Sequence, residues 1–190
     1  MSRRARKKAA TRAAIIEAAR SLFAERGYAA TRTRDIADAA GIATGTLFNY
    51  ASTKEDIVLM LWKARAEKLA EEGLQSAMAC ADPVEGLVAL FGPIFDFYGE
   101  DLELGRVFLQ QAVYASSDDP EMARLNEGFV AQIALLLAPE AGERSFFAAT
   151  SVFSAYYFVL TAMLAGRTEP AGARIFFREL VQHQRQGWRG

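Results

Sequence analysis

Small and polar side chains between Thr33 and Lys54 are of the types that contact nucleic acid. Thr44 and Arg34 have the reach and the hydrogen-bonding groups for base edges, and Gly45 lets a helix backbone approach the bases. Other hydroxyl groups and an ammonium group in this segment can hold phosphates. We therefore predict a DNA-contacting surface made of Thr33, Arg34, Thr44, Gly45, Thr46, Asn49, Tyr50 and Lys54.

Two short helices joined by a tight turn must position this surface. The sequence predicts helices at 33–40 and 44–50, with Gly41 in the turn where a positive φ is needed. Ala37 is small where the helices cross, and Leu47 points back into the core. This spacing is typical of a helix-turn-helix. Together with a preceding helix, we expect a core of Ile15, Leu22, Phe23, Ile36, Ala40, Ile42 and Leu47.

The rest of the chain also favours helices. Of its 190 residues 52% are apolar, and Ala and Leu greatly outnumber the β-branched Ile and Val, which lose more freedom in a helix. Ser52 and Glu55 indicate a capping box at the start of the fourth helix, and Gly92-Pro93 should kink or split the fifth. We predict an all-α protein of about nine helices, at 8–26, 33–40, 44–50, 53–79, 83–99, 102–116, 119–138, 143–165 and 170–186.

The two parts of the chain carry opposite charge. Residues 1–54 hold 11 Lys and Arg against 4 Asp and Glu, a balance of +7, whereas residues 55–190 hold 11 against 19, a balance of −8. The first part would attract phosphates and the second would repel them. We therefore predict a DNA-binding domain at 1–54 and a second domain at 55–190, linked by the helix at 53–79. Residues 1–8 are expected to be a disordered basic arm that adds nonspecific attraction to DNA.

The inventory of reactive side chains argues against catalysis. His183 is the only histidine, and no nucleophile–base pair or metal cluster can be built around it, so we expect no enzyme, metal site or cofactor. Cys80 is the only cysteine and cannot form an internal disulfide or a zinc clip, which suits a reducing cytoplasm. The uncharged stretch Ser145–Gly166 is long enough to span a membrane. It contains hydroxyl side chains, however, and we expect a buried helix of a soluble assembly instead.

Residues 12–60 contain a set of residues that together form a specific motif. They are Phe23, Gly27, Tyr28, Ile36-Ala37, Ala40-Gly41, Gly45-Thr46-Leu47, the aromatic residue at 48 and Lys54-Glu55. With these residues, the segment resembles the N-terminal DNA-binding domain of the TetR family of transcriptional regulators. Three positions depart from the family pattern: Ala43 replaces a capping Ser, Phe48 replaces a Tyr whose hydroxyl could bind phosphate, and Ala51 replaces a Phe at the junction of the third and fourth helices.

The resemblance implies that a helical effector-binding and dimerisation domain follows. It also implies a homodimer, a palindromic operator and repression that a small molecule releases. The many aromatic residues in 83–160 favour a largely apolar or aromatic effector. Candidate pocket residues are Phe91, Phe95, Arg106, Phe108, Gln111, Tyr114, Phe153 and Tyr157. Candidate dimer-interface residues are Phe153, Tyr156, Leu160, Phe176, Phe177, Leu180 and Val181.

The alternative is an architectural DNA-binding protein without an effector. Such a protein would lack an internal cavity in its second domain and would bind DNA with little sequence preference.

Overall fold

Nine α-helices, and no strand, occur in residues 2–114 and 120–188, the parts of the chain that the computed structural model describes. The prediction of an all-α fold is confirmed. The helices are α1 Arg3–Ala30, α2 Thr33–Ala39, α3 Thr44–Phe48, α4 Lys54–Met78, α5 Pro83–Glu100, α6 Leu102–Tyr114, α7 Pro120–Ala141, α8 Ser145–Leu164 and α9 Pro170–Arg185, and a 3-10 turn at Gly142–Arg144 precedes α8.

The helices form two compact units. The first runs as far as Arg65 and also includes Val107–Ala112, and the second consists of Ala66–Arg106 and the chain from Val113 onward. The first unit thus extends beyond the predicted domain boundary at residue 54. The beginning of α4 carries the fully buried side chains of Ile57 and Val58, so this part of the helix is core material of the first unit.

In the first unit, α1, α2 and α3 form the three-helix arrangement that the sequence predicts. Ile15, Ile36 and Leu47 are completely buried, and Leu22 and Phe23 nearly so. Ala40 and Ile42, which the prediction also placed in the core, are only partly buried because they lie at the turn that ends α2. Gly41 has φ +67°, as expected for the tight turn.

The first helix begins earlier than predicted. Residues 3–8 are helical, so the prediction of a disordered arm is wrong for the described part of that segment. The Oγ of Ser2 caps the helix by accepting a hydrogen bond from the N–H of Ala5, at 3.2 Å. Ala, Arg and Lys, which make up the run that follows, are all good helix formers. The helix is interrupted at Gly27, where φ is +79°, directly after the predicted end of the first helix at residue 26.

The cap of α4 is shifted by one residue from the predicted capping box. The Oγ1 of Thr53 accepts from the N–H of Asp56 at 3.1 Å, and an Oδ2 of Asp56 accepts from the N–H of Thr53 at 3.0 Å and of Ser52 at 2.8 Å. Thr53 and Asp56 are therefore the reciprocal pair, in place of Ser52 and Glu55. Glu55 is unavailable because its side chain bonds to α1.

In the second unit, aromatic side chains of α5, α8 and α9 form the core. The ring centroid of Phe91 lies 4.6 Å from that of Tyr156 and 5.0 Å from that of Phe177, and Phe95 lies 5.8 Å from Phe177. Edge-to-face and offset pairs at these distances stabilise a core beyond the area they bury. The same packing holds α5 together as one helix through Pro93, so Gly92-Pro93 does not split it.

One stretch, Asn126–Leu164, is long and apolar enough to cross a membrane when judged by length and composition alone. It covers most of α7 and α8, and 56% of its most apolar window is buried inside the structure. The inner face of α8 supplies nine buried residues to the second unit. A largely apolar helix with this pattern of burial is typical of a core helix.

Candidate nucleic-acid interface and small-molecule pocket

Most of the predicted DNA-contacting residues lie on α2, on α3 or directly after α3, and most of them face outwards. Arg34, Gly45 and Asn49 are exposed, and the Arg34 side chain retains 81% of its accessible surface. Its Nε approaches Asp38 Oδ2 only to 3.9 Å, so the guanidinium is available for other acceptors. Thr33, Thr44, Thr46 and Tyr50 are partly exposed.

Local packing fixes the orientation of α3. Leu47 is completely buried, so the opposite side of this short helix must face solvent. The N–H groups of Thr46 and Leu47 bond to the carbonyl of Ala43, at 2.8 and 3.2 Å. Ala43 provides no side-chain cap, so the loss of the family's usual capping Ser is not made up by a hydrogen bond from Thr44. The helix begins at Thr44 all the same, because tertiary packing holds it there.

Phe48 is a surface residue that the sequence reasoning treated mainly as packing. It is 48% exposed at the end of α3, beside the exposed Asn49. Its ring lacks the hydroxyl of the Tyr usual in the family, but its apolar edge can still contact a sugar or a thymine methyl group. The only available signal was its position at the end of α3, the five-residue helix Thr44–Phe48 that the sequence predicts to face DNA. Ala51, in contrast, is buried, with 3% of its surface exposed.

Lys54 has a different environment from the one predicted. Its Nζ donates to the carbonyl oxygens of Tyr28 at 2.8 Å and Thr31 at 3.1 Å, and lies 4.0 Å from the centroid of the Tyr28 ring. An ammonium group has three N–H bonds, so at most one remains for a phosphate. Lys54 therefore acts mainly inside the protein, where it joins the end of α1 to the start of α4.

The neighbouring carboxylate strengthens this junction. The hydroxyl of Tyr28 donates to Glu55 Oε1 at 2.6 Å, and this bond is the main reason that the pKa of Glu55 lies below its usual range. The Oγ1 of Thr31 donates to the carbonyl of Gly27 at 2.8 Å, and Thr31 is itself buried. We call Tyr28, Thr31, Lys54 and Glu55 the α1–α4 junction. In the sequence, Lys54-Glu55 is part of the family resemblance. In the structure, both side chains hold the end of α1 against the start of α4 by hydrogen bonds.

Several of the predicted pocket residues pack against, or bond to, neighbours within the second unit. Phe91 and Phe95 are fully buried in the aromatic core, and Phe153 and Tyr157 pack against each other with ring centroids 5.0 Å apart. The Nε of Arg106 donates to the carbonyl of Leu164 at 2.7 Å. Phe108 and Gln111 belong to the segment Val107–Ala112 of the first unit, and the side chain of Tyr114 lies outside the described part of the chain. These aromatic residues contribute to the core, and their assignment to an effector pocket stays a prediction.

A pocket of about 430 Å³ lies elsewhere in the second unit, where the end of α4, the start of α5 and the end of α7 meet. Sequence analysis missed it, because no local pattern shows that three helix ends converge. Its volume is within the range of small-molecule sites. Most of its wall is apolar, and the lining includes Leu74, Ala77, Met78, Ala81, Pro83, Leu135, Leu136 and Pro139.

Three polar residues, Cys80, Gln132 and Glu140, complete the lining. The Oε1 atom of Gln132 is buried and accepts no hydrogen bond, so an acceptor is available there. Both carboxylate oxygens of Glu140 instead bind Arg185, at 2.8 Å each. A third contact, from Arg185 Nη1 to Asp82 Oδ2 at 2.7 Å, joins α9 to the start of α5 and is the main reason that the pKa of Asp82 is lowered.

Several predicted dimer-interface residues face the interior of their own subunit. Tyr156, Leu160, Phe177 and Val181 are buried, so the prediction that they contact a second copy is wrong. These four residues lie on the inner faces of α8 and α9, and the outer faces of the two helices lie about half a helical turn away. Phe176 is 37% exposed, while Phe153 and Leu180 are intermediate. The large apolar side chains that do face outwards there are Phe146, Phe147, Phe158, Ile175 and Phe176.

No group of three or more His, Cys, Asp and Glu side chains in the described residues is arranged to hold a metal ion. His183, the single histidine, is exposed on α9.

Comparison with known proteins connects this geometry to a family. Residues 15–61 match the profile of the bacterial regulatory proteins of the tetR family. The HTH-type transcriptional repressor KstR2 of Mycobacterium tuberculosis is 38% identical over 85 residues, which are 45% of this chain and 42% of that protein. The fatty acid metabolism regulator protein of Bacillus subtilis is 32% identical over 93 residues, 49% of this chain and 48% of that protein. The chain thus matches less than half the length of these curated relatives.

Solved structures extend the similarity to nearly the whole chain. A TetR family transcription regulator from Marinobacter aquaeolei superimposes with a TM-score of 0.57 at 25% identity, covering 93% of this chain and 96% of the other. The fatty acid degradation regulator FadR from Bacillus halodurans gives a TM-score of 0.64 at 21% identity, over 90% and 93% of the two chains, and so shares the fold. The resemblance seen in the sequence is confirmed over residues 15–61, which match the tetR-family profile, and the solved structures share the fold over nearly the whole chain.

Proposed function

We propose that this protein is a dimeric, sequence-specific DNA-binding regulator of transcription. The observation that carries the proposal is the exposed face of α2 and α3, which presents Arg34, Thr44, Gly45 and Asn49 on a rigid core anchored by Leu47. The sequence from Thr44 to Tyr50 contains no carboxylate, so nothing on α3 repels phosphates or base acceptors. Repression is the mode we infer, since the curated relatives KstR2 are named repressors. Such a protein acts in the cytoplasm, where it reaches the chromosome.

The exposed apolar faces of α8 and α9 support a homodimer. Phe147 and Phe158 are 78% and 55% exposed and stand three helical turns apart, hence on one side of α8. Ile175 on α9 is 56% exposed, and the ring of Phe176 lies 6.0 Å from that of Phe158. A second copy of the chain, related by a two-fold axis, would cover this surface. Its two recognition helices would then read a palindrome in major grooves about 34–36 Å apart.

Charged substitutions test the dimer face. Phe158→Glu places an unpaired charge in the proposed interface and should convert the dimer to a monomer in sedimentation experiments. Phe146→Glu is the matched control, because Phe146 is 62% exposed but lies about a quarter turn away from the Phe147–Phe158 line. If both variants sediment like the wild type, this face is not the interface.

The pocket beside Gln132 is our candidate effector site. Its apolar lining favours a largely apolar molecule, and the unpaired Oε1 of Gln132 favours one hydrogen-bond donor on that molecule. Acyl compounds belong in the first ligand panel, since one relative is named as a fatty acid metabolism regulator. The helix α4 spans both compact units, so a ligand that prefers one arrangement of the α4 end could shift the DNA-competent population.

A pair of matched glutamines tests the effector site. Gln132→Leu removes the acceptor that lines the pocket, and Gln184→Leu removes another buried, unpaired Oε1 that lies outside it. Gln132→Leu relieves an unsatisfied acceptor and should leave the stability equal or slightly higher, whereas Gln184→Leu also removes the hydrogen bond that Gln184 Nε2 donates to the carbonyl of Ser151 at 3.4 Å and should lower the stability slightly. Only Gln132→Leu should change the concentration at which a panel compound releases DNA. Equal responses would exclude the pocket as the effector site.

Selection from a pool of random duplexes tests DNA recognition itself. The purified protein is incubated with the pool at about 150 mM salt, and the bound fraction is sequenced. An enriched palindrome supports a dimeric regulator and supplies the probe for ligand release. Binding without enrichment would favour the alternative, an architectural DNA-binding protein. Absence of binding at any salt concentration would overturn both.

A further inference from the structure

The N-terminal part of α1 is a strongly basic helix that extends beyond the core of its unit. Six cations occur in residues 3–12, no Asp or Glu occurs before Glu17, and the first buried residue is Ile15. Glu17 is bonded to Arg20 on the outer side of the helix. Because like charges one turn apart destabilise a helix by a few tenths of a kcal/mol per pair, this arrangement is unfavourable without an anionic partner.

Three of the cations form a row with a defined direction. Arg4, Lys8 and Arg12 are spaced by four residues and span about 80° of the helix surface. Ile15, Ala19 and Leu22, which are buried in the core, point within the same sector. The row is therefore the outward continuation of the face by which α1 packs in the three-helix core. Arg4 and Lys8 are exposed and Arg12 is partly so, which places the row beyond the edge of the core.

We propose that Arg4, Lys8 and Arg12 form a helical phosphate-binding row that contacts the DNA backbone beside the site read by α3. This inference rests on the proposed DNA-binding function. Neighbouring members are about 6 Å apart along the helix axis and the whole row is about 12 Å long. One DNA strand carries a phosphate per about 3.4 Å of its axis, so the row matches a stretch of three to four phosphates. A helix holds the cations in register, whereas a flexible arm would lose conformational entropy on binding.

Two triple variants separate position from total charge. R4Q/K8Q/R12Q removes the row, and R3Q/R6Q/K7Q removes the same number of charges from the other positions of the same helix segment. Affinity for a labelled mixed-sequence duplex is measured by anisotropy between about 50 and 200 mM salt. Each lost phosphate contact lowers the slope of log K against log salt concentration by about 0.9, so the row variant should lose up to about 2.7 per subunit. The matched control should lose less than half as much.

Two further variants test the roles of charge and helix. R4K/R12K keeps the charges and should retain the wild-type slope. Ala9→Pro keeps every cation but breaks the helix between Arg4 and Arg12, and should flatten the slope nearly as much as the row variant. Circular dichroism and thermal unfolding check that the core, which begins at Ile15, is intact in each.

The outcomes distinguish a failure of the phosphate-binding row from a failure of the proposed DNA-binding function. Equal loss of slope in both triple variants would show that only the number of charges matters, and would overturn the row. An unchanged slope in R4Q/K8Q/R12Q, with normal binding by the wild type, would overturn it too. Failure of the wild-type protein to bind any duplex would instead refute the proposed DNA-binding function.

Discussion

Replacing Gly45 with alanine should make the protein slightly more stable and yet weaken its binding to DNA. A Cβ built on Gly45 meets no atom within 4 Å, and Gly45 is not among the glycines with positive φ. Alanine is favoured over glycine by up to about 1 kcal/mol inside a helix, and by less in a first turn such as this one. For a chain of this size, that gain corresponds to a rise in Tm of at most about 2–4 °C.

The expected loss in DNA affinity arises from the same open space. In the complex that we propose, the backbone of Gly45 would come close to the bases, and a methyl group there would hold α3 away from the groove. A shift of about 1 Å weakens the neighbouring contacts of Thr44 and Asn49, and a good base contact contributes about 1–3 kcal/mol. We therefore expect the affinity of Gly45→Ala for its selected duplex to fall at least about tenfold, or about 1.4 kcal/mol.

Two other glycines serve as controls in the same melting and binding assays. Gly128→Ala, on the exposed surface of α7, also meets nothing within 4 Å and should gain stability without any change in DNA binding. Gly41→Ala forces alanine to adopt φ +67° and should lose about 1 kcal/mol or more of stability. If Gly45→Ala binds DNA as tightly as the wild type, the α3 backbone does not approach the bases and the assignment of this face is refuted.

Three further changes test the junction and the core. Tyr28→Phe removes the hydrogen bond that lowers the pKa of Glu55, so it should cost about 1 kcal/mol at neutral pH. Because the stabilisation from a lowered pKa is complete above the unfolded value of about 4.3 and is lost as the pH falls from there through the lower folded-state pKa, this difference should shrink over that range in urea unfolding. Phe177→Ala should lower the free energy of unfolding by about 3–5 kcal/mol, since the ring is fully buried; a loss below about 1 kcal/mol would contradict the assigned core. Arg185→Gln should cost about 1–3 kcal/mol and flatten the acid limb of the stability curve, because the guanidinium lowers the pKa of Asp82; an unaltered acid limb would argue against that ion pair.

The sequence predicts the helix-turn-helix well because its determinants are local. Ala37, Gly41 and Leu47 lie within eleven residues, and the small crossing residue, the positive φ and the buried anchor are each fixed by neighbours in the chain. The helices of the second unit are marked in the same way by prolines and by acidic caps, such as Asp82, which accepts from the N–H of Val84 at 2.8 Å.

The roles of individual side chains near α4 depended on residues far away in the chain. The run from Ser52 to Asp56 permits two capping boxes, one residue apart, and local rules do not choose between them. Tyr28 makes the choice, because its hydroxyl takes the carboxylate of Glu55 across 27 positions of sequence and leaves Asp56 to form the cap. The same contact pattern turns Lys54 inwards, away from the phosphates for which its charge seemed suited.

The sequence by itself predicted the all-α fold, the resemblance to the TetR family and a candidate DNA-reading face, since periodicity, turn chemistry and charge are properties of short segments. Only the tertiary structure decided which faces of the apolar helices are inside. Phe177 and Phe176 are adjacent in the chain, yet one is completely buried and the other is 37% exposed. The pocket beside Gln132 likewise exists only where three helix ends meet. A helix that is apolar around its whole circumference carries no local signal of which side packs, so the contacts with other helices decide which face is buried.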